Sequence, residues 1–379
     1  MRVAQIIPCL GGNSGGPSRS VYTLTRGLRD FGLDTEIVSY NYTFNPNIAK
    51  EPWIRAMDVD KMLPFEYDSR FKGFLDEREY DLFHIHSIYS YPVTIAARLA
   101  RKKNVPYIIA PRGSLYRSAI KGSSALKKYL FNHLFLFSDL NHASAIQATC
   151  KEEMEEIRAL GIKTPVAIIP NSVPIPEKMS AYGNPSKLRI GFLGRINPIK
   201  NLDGLLRAWK ASGLDDEGEL YIVGKAQLEK EQEYEKQLHA LESELCLKNV
   251  IWTGAKFGKE KDDLLRSFSY LVLPSHSENF GMVVPEALLQ GVPVIASKGT
   301  PWSMLVERHC GWWVDDSVDG LTKGLTDIRT VSEDSRKAMS ISGQKMVKVH
   351  FSEDAVNHKL NDLYEWILAG GEKPEFVYG

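Results

Sequence analysis

Cysteine is scarce in this chain: four residues in 379, at positions 9, 150, 246 and 310, with no Cys-x-x-Cys spacing. That spread excludes a disulfide-stapled domain and leads one to expect free thiols in a reducing cytoplasm. An excess of either charge is missing too, because 47 Lys and Arg offset 47 Asp and Glu. A nucleic-acid binder needs a basic surplus against the phosphate backbone, so nucleic acid is not an expected partner. No stretch approaches the ~20 apolar residues of a membrane span, and the apolar opening at residues 1–8 is too short for a signal peptide. His309 and Cys310 are adjacent, which makes a poor metal pair, and both are expected as ordinary core or surface residues.

What is present is 43% hydrophobic, the composition of a soluble globular protein, in a chain too long for one ordinary core. Two domains follow as the expectation. Apolar stretches at 2–8, 35–40, 81–87, 106–111, 145–149 and 166–170 read as strands, separated by helix-length segments such as 19–31. Such alternation predicts a mainly parallel sheet with helices on both faces. Residues 41–80 are richer in aromatics and charge and read as an insertion on that frame. Prolines and a glycine break the pattern at 174–187, which reads as a linker. The alternation then restarts, with strands at 188–194, 219–223, 250–253, 270–273 and 293–296 and helices at 202–211 and 228–245. The fold class is therefore α/β, with two doubly wound Rossmann-like domains whose ligands lie outside the carboxyl ends of the strands. A last amphipathic helix at 354–368 carries Val356, Leu360, Leu363, Tyr364 and Ile367 on one side. Its period alone leaves open which domain it packs on.

Three segments carry the chemistry. Around Ser277-Glu278-Asn279-Phe280-Gly281 a polar turn leads from one strand into a helix predicted over 283–290, with Pro285 in its first turn and Glu286 inside it. The start of such a helix leaves backbone N–H groups facing an anion, and two carboxylates flank it. Arg195 sits at the tip of the strand that restarts the alternation, and Lys200 precedes the next helix. Two cations there suit a diphosphate better than two solvated surface charges. The first strand ends in a glycine-rich loop, Gly11 to Gly16, whose spacing is not that of a dinucleotide fingerprint and which by itself is nearly as well read as a surface turn.

Taken together, Gly194-Arg195 with Lys200, and Glu278-x7-Glu286 in a Pro-Ser-x-x-Glu-x-Phe-Gly context, resemble the family 4 retaining glycosyltransferases, also described as glycosyl transferases group 1. Other pieces match in order: the glycine loop, His84-Ile85-His86, Ile169-Pro170-Asn171-Ser172, Trp252-Thr253-Gly254 and Gly291 to Ala296. The resemblance covers nearly the whole chain and implies the GT-B fold, two Rossmann-like domains facing across a cleft. It implies an acceptor-side domain at 1–175, a linker at 176–187, a nucleotide-sugar-binding domain at 188–351, and a C-terminal helix at 352–379 with the first domain as its candidate seat. Arg195 and Lys200 would hold the diphosphate of a nucleoside-diphosphate sugar, UDP- or GDP-linked. Asn279, Phe280 and Gly281 would contact sugar and diphosphate through backbone N–H groups. Glu286 would take ribose hydroxyls, Glu278 would lie by the transferred sugar, and Gly15 and Gly16 would close on the donor. The resemblance implies no metal and no cofactor, since Arg and Lys supply the positive charge. A glycan or lipid-linked glycan is the implied acceptor, in polysaccharide biosynthesis. One departure stands out. Many members have a histidine after the strand that here reads Ile108-Ile109-Ala110-Pro111, whereas this chain has Arg112. Arginine keeps a donor but not a neutral form, so Arg112 is expected to orient the donor sugar or the acceptor. His86 is a second candidate for an active-site group, against the ordinary reading of a satisfied structural histidine.

Rival readings are a sugar-nucleotide epimerase on the same scaffold and a non-catalytic sugar-nucleotide binder. Three further features have blander explanations. Asp58-Val59-Asp60 mimics a metal motif but falls in the irregular 41–80 segment, where a solvated turn is expected. Trp312-Trp313 suits an apolar strand better than a sugar platform. Arg117, Lys121, Lys127 and Lys128 precede the apolar run Tyr129-Leu130-Phe131, a pattern compatible with peripheral contact at the inner membrane face and more often explained by a core-facing helix.

Overall fold

The computed structural model describes residues 1–10, 16–41, 51–59, 63–117, 131–180, 182–183 and 187–379. The chain divides into two units, Met1–Pro174 with Glu353–Gly379, and Ile175–Ser352. In the first, seven strands are laid down in chain order: β1 (Arg2–Cys9), β2 (Asp34–Asn41), β3 (Ile54–Asp58), β4 (Leu82–His86), β5 (Tyr107–Ala110), β6 (Ala145–Ala148) and β7 (Val166–Ile168). The second contains β8 (Leu188–Leu193), β9 (Gly218–Val223), β10 (Val250–Trp252), β11 (Tyr270–Leu273), β12 (Val294–Ser297) and β13 (Gly311–Val314). The chain then returns to the first unit with helix Glu353–Ala369 and a short β14 (Val377–Tyr378) antiparallel to β7.

Both sheets are doubly wound. Their spatial orders are β14-β7-β6-β5-β4-β1-β2-β3 and β10-β9-β8-β11-β12-β13. All pairings except β14–β7 are parallel. In each sheet the first strand has its successor on one side and a later strand on the other. The strand order therefore reverses at β1/β4 and at β8/β11, where α/β sheets bind ligands.

Strand alternation explains why the first sheet is covered on both sides. Ala4, Ile6, Phe83, Ile85 and Ile109 pack with Phe71, Leu75 and Ala96 from helices Arg70–Asp76 and Tyr91–Lys103. Their neighbours Val3, Leu82 and Ile108 point the other way, into a cluster with Leu24 and Leu28 of helix Gly16–Asp30 and with Val356, Leu360, Leu363 and Tyr364. The apolar stripe of the last helix is thus part of the first unit's core.

Two segments differ from their sequence reading. Part of the 41–80 stretch belongs to the frame, because β3 pairs with β2 as the sheet's edge. Its Arg55 and Asp58 obscure the strand pattern, as charges on edge strands do. The segment read as a linker makes its contacts with the second unit: the Ser180 hydroxyl donates to Gln290 Oε1 at 2.6 Å and Gln344 Nε2 donates to the Ser180 carbonyl at 2.9 Å.

Candidate functional site

The second unit's switch point is shaped by backbone constraints. At the end of β8 the Gly194 N–H donates to the Val223 carbonyl at 3.0 Å. A Cβ on Gly224 would fall 1.9 Å from the Gly194 carbonyl oxygen, so that position admits no side chain without moving the strand tip. Arg195 follows, half exposed, with Nε 3.3 Å from Glu231 Oε1. Glu231 is itself fixed, because its other oxygen accepts from the Gln227 and Leu228 N–H groups at 2.9 and 3.2 Å. Next, a 3-10 turn Pro198–Lys200 closes on Asn201, whose φ of 54° is left-handed. Asn201 Nδ2 donates to the carbonyls of Pro274 (3.1 Å) and Asp316 (2.8 Å), and the His276 N–H donates to the Ile199 carbonyl at 2.9 Å. Those bonds pin the turn against the exit of β11.

The consequence is a direct ion pair. Lys200 Nζ donates to Glu278 Oε2, and the Ser275 hydroxyl donates to the same oxygen at 3.3 Å. The two charged side chains are 17% and 18% exposed, so both are mostly out of water. The loop beyond is held from behind. Trp302 Nε1 donates to the Phe280 carbonyl, and the Phe280 ring is buried 5.2 Å from Trp302 and 5.6 Å from Phe351, centroid to centroid. That leaves Phe280 a backbone role at most. Gly281 has φ of 76°, and a Cβ there would lie 2.9 Å from Leu273 Cδ2 and 3.1 Å from Glu278 Cγ. The helix that follows is short, Val283–Leu289. Its Glu286 is 2.7 Å from Lys261 Nζ on helix Gly258–Arg266. Lys261 and Glu231 are the two charged residues of this region that the sequence reading missed. Nothing in their spacing sets them apart from the other charges of their helices.

Lys200 and Glu278 are therefore brought together, while Arg195 and Glu286 each engage a partner of their own.

The first unit has its own polar centre at the carboxyl ends of its strands. Arg112, just past β5, has φ of 57° and is followed by Gly113 at 79°. It donates to Asn171 Oδ1, and its Nη2 lies 3.1 Å from His86 Nδ1. His86 is fully buried, so it supports Arg112 from below and does not itself face solvent. Burial, with the Arg112 charge and the cost of protonating two adjoining imidazoles, holds the His86 imidazole well below its ordinary pKa, and burial pushes His84 down to about 3. Gly16 opens helix Gly16–Asp30, and a Cβ there would meet nothing within 4 Å. Gly15 lies outside the described residues.

The remaining candidates resolve simply. Asp58 accepts a hydrogen bond from Asn41 Nδ2, and Asp60 is outside the described residues. Among the described residues, no group of three His, Cys, Asp or Glu is placed to hold a metal. Trp312 packs edge-on to Tyr270 at 5.7 Å, and Trp313 Nε1 donates to the Thr300 carbonyl at 2.9 Å. Both line an open groove of about 650 Å³ along β13, which contains none of the residues above. Arg117 is exposed near Glu156, whereas Lys121, Lys127 and Lys128 lie outside the described residues. No described helix is long and apolar enough to cross a membrane.

Comparison with known proteins matches both units. Residues 175–346 match the family model of glycosyl transferases group 1, and residues 15–172 that of the glycosyl transferase 4-like domain. An uncharacterised glycosyltransferase of Methanocaldococcus jannaschii is 26% identical over 78% of this chain and 78% of its own. The alpha-1,3/1,6-mannosyltransferase alg-2 of Neurospora crassa is 34% identical over 29% of this chain, a match spanning 24% of that enzyme's length. Among solved structures, HepE of Anabaena in complex with UDP and glucose superposes with a TM-score of 0.73 at 18% identity, over 96% of this chain and 99% of that one.

Proposed function

The chain belongs to the glycosyl transferases group 1, of GT-B type, and from that premise we propose that it transfers a sugar from a nucleoside-diphosphate donor with retention and without a metal. The observation that carries the reading is the Lys200–Glu278 pair at the β8/β11 switch point. In the proposed reaction the bond from the anomeric carbon to the diphosphate oxygen breaks and negative charge builds on the leaving group. Lys200 and Arg195 stabilise that charge, which is the electrostatic part of catalysis. The acceptor hydroxyl forms the new bond on the face the diphosphate leaves, and its proton passes to the departing phosphate oxygen. Glu278 lies by the moving sugar, Glu286 takes ribose hydroxyls, and the Asn279, Phe280 and Gly281 backbone lines the diphosphate.

UDP is the first donor base to test, given the UDP in HepE, and GDP the second. The acceptor is a glycan or lipid-linked glycan of polysaccharide biosynthesis, reached from the cytoplasmic side. Exposed Phe65 and Phe135, each in ring contact with Phe131, favour a peripheral membrane contact for such an acceptor. Co-sedimentation with anionic liposomes tests it, and lipid-independent recovery in the supernatant removes it. The central experiment is a thermal-shift screen of nucleoside diphosphates followed by incubation with the radiolabelled sugar nucleotide that binds. Label in a larger glycan supports transfer. An epimerised donor with no transfer points to the epimerase reading, and stabilisation without turnover to a binder.

A further inference from the structure

Arg112 is a partly exposed cation with no anion of its own. Guanidinium has five N–H donors, and its acceptors here are two neutral groups, Asn171 Oδ1 and His86 Nδ1. The neutrality of His86 follows from the bonds behind it. Gln5 Nε2 donates to Tyr364 OH at 3.1 Å and to Thr35 Oγ1 at 3.3 Å, which leaves Gln5 Oε1 as an acceptor. His86 Nε2, 2.7 Å from that oxygen, therefore carries the proton, and the Nδ1 lone pair is turned to Arg112. Tyr364 OH, accepting from Gln5, lies within hydrogen-bond distance of His84 Nδ1 at 2.7 Å. No link from Arg112 back to Tyr364 calls for a charged imidazole, and His84 Nε2 beyond it is buried without a partner.

Glu153 is the carboxylate whose field reaches Arg112. Its oxygens are taken by the Gly113 N–H (2.6 Å), the Thr149 N–H (2.7 Å) and the Thr149 hydroxyl (2.8 Å). Among the described residues no carboxylate lies within 4.0 Å of the Arg112 guanidinium. Arg112 Nε is buried without a partner, and the residue occupies a left-handed conformation that side chains rarely adopt. Desolvating a charge against neutral groups is unfavourable unless something compensates it. At the carboxyl ends of β4, β5 and β7, the natural compensation is a ligand.

We infer that Arg112 binds an oxyanion carried by the substrate, a carboxylate or a phosphate, so that the enzyme handles an anionic sugar. The inference rests on the glycosyl-transfer reading for the word substrate, but the anion site stands on the first unit alone. The anion has two sources, a uronate on the donor sugar or a phosphate on the acceptor.

Calorimetry on the full chain separates them, comparing UDP-glucuronate with UDP-glucose and glucose 1-phosphate with glucose. Wild type is expected to prefer the anionic member of one pair by tenfold or more in Kd, and which pair it is assigns the source. Asn171→Asp puts a carboxylate on the guanidinium. Its preference should fall to within twofold while Tm stays level or rises, a result that a purely structural Arg112 would not give. Arg112→Gln should lose the preference as well, and decides the matter if Asn171→Asp fails to fold. UDP alone should bind all three proteins equally. No preference in wild type, or a preference that survives in the variants, overturns the inference. Absence of binding by both UDP and GDP in all three proteins overturns the donor reading instead and leaves the comparison of glucose 1-phosphate with glucose standing.

Discussion

Replacing Lys200 with Met removes the cation of a mostly buried ion pair and tests the donor site at its centre. Breaking such a pair by deleting one partner costs about 3–5 kcal/mol, because the other charge is left uncompensated. Here a sixth of each side chain still meets water and the Ser275 hydroxyl still serves Glu278, which lowers the figure to about 2–3 kcal/mol. For a domain of this size that is a Tm drop of about 5–10 °C. Glu278→Gln on the Lys200→Met background leaves two neutral groups and should restore most of it, so a double-mutant cycle reads the coupling directly. Nucleotide affinity must behave differently. A charge-assisted bond to phosphate contributes about 1.5–3 kcal/mol, so Lys200→Met should weaken UDP or GDP binding by about 10- to 150-fold. The double variant, though stable again, should stay weak. Calorimetry with each nucleoside diphosphate provides the measurement. Unchanged affinity in Lys200→Met for every diphosphate that wild type binds refutes the donor-site assignment, and affinity that returns with stability in the double variant reduces Lys200 to a structural ion pair.

Glu278→Gln alone releases Lys200 from its carboxylate and removes a negative charge facing the diphosphate, so UDP affinity should rise about three- to tenfold while sugar transfer falls; weaker binding would mean that Glu278 serves to orient Lys200. Gly281→Ala places a Cβ on Leu273 and Glu278 in a left-handed conformation, and should destabilise the second unit by about 1–2 kcal/mol, read by urea denaturation. His84, pushed down to about 3 by burial, is neutral in the fold but protonates in the unfolded chain below about pH 6.5. It therefore has no effect on stability above that pH and removes about 1.4 kcal/mol per pH unit as pH falls from 6.5 toward 3, so His84→Gln should flatten the decline of unfolding free energy between pH 6.5 and 5 by about that slope.

The sheet frame was readable because parallel strands buried on both faces are short continuous apolar runs, such as Tyr270-Leu271-Val272-Leu273, and their helices carry clear 3.6-residue stripes. β3 escaped because an edge strand tolerates Arg55 and Asp58, and the helix Val283–Leu289 ends one residue sooner than its Gly291 suggested. The seat of the last helix was unreadable for a different reason: its apolar face fits any apolar face, and what makes the first unit specific is pairing across elements, the buried Tyr364 hydroxyl with Gln5 and His84 and Glu353 with Arg26. At the site, local motifs named Arg195, Lys200, Glu278 and Glu286. The partners Glu231 and Lys261 stayed hidden because each lies on another helix, and pairing across elements leaves no spacing in the sequence.

Charge compensation separates the two units and bears on how binding is divided. In the second unit each predicted ligand-binding charge already has an opposite: Arg195 has Glu231, Lys200 has Glu278, and Glu286 has Lys261. A diphosphate arriving there exchanges one anionic partner for another, so the gain in affinity is the difference between two ion pairs, and the pairs keep the side chains oriented beforehand. Arg112 has no such partner, and an anion reaching it replaces only neutral acceptors and water. The two sites should therefore follow one rule from opposite starting points: taking a carboxylate away at Glu278 strengthens anion binding in the second unit, and adding one at Asn171 abolishes it in the first.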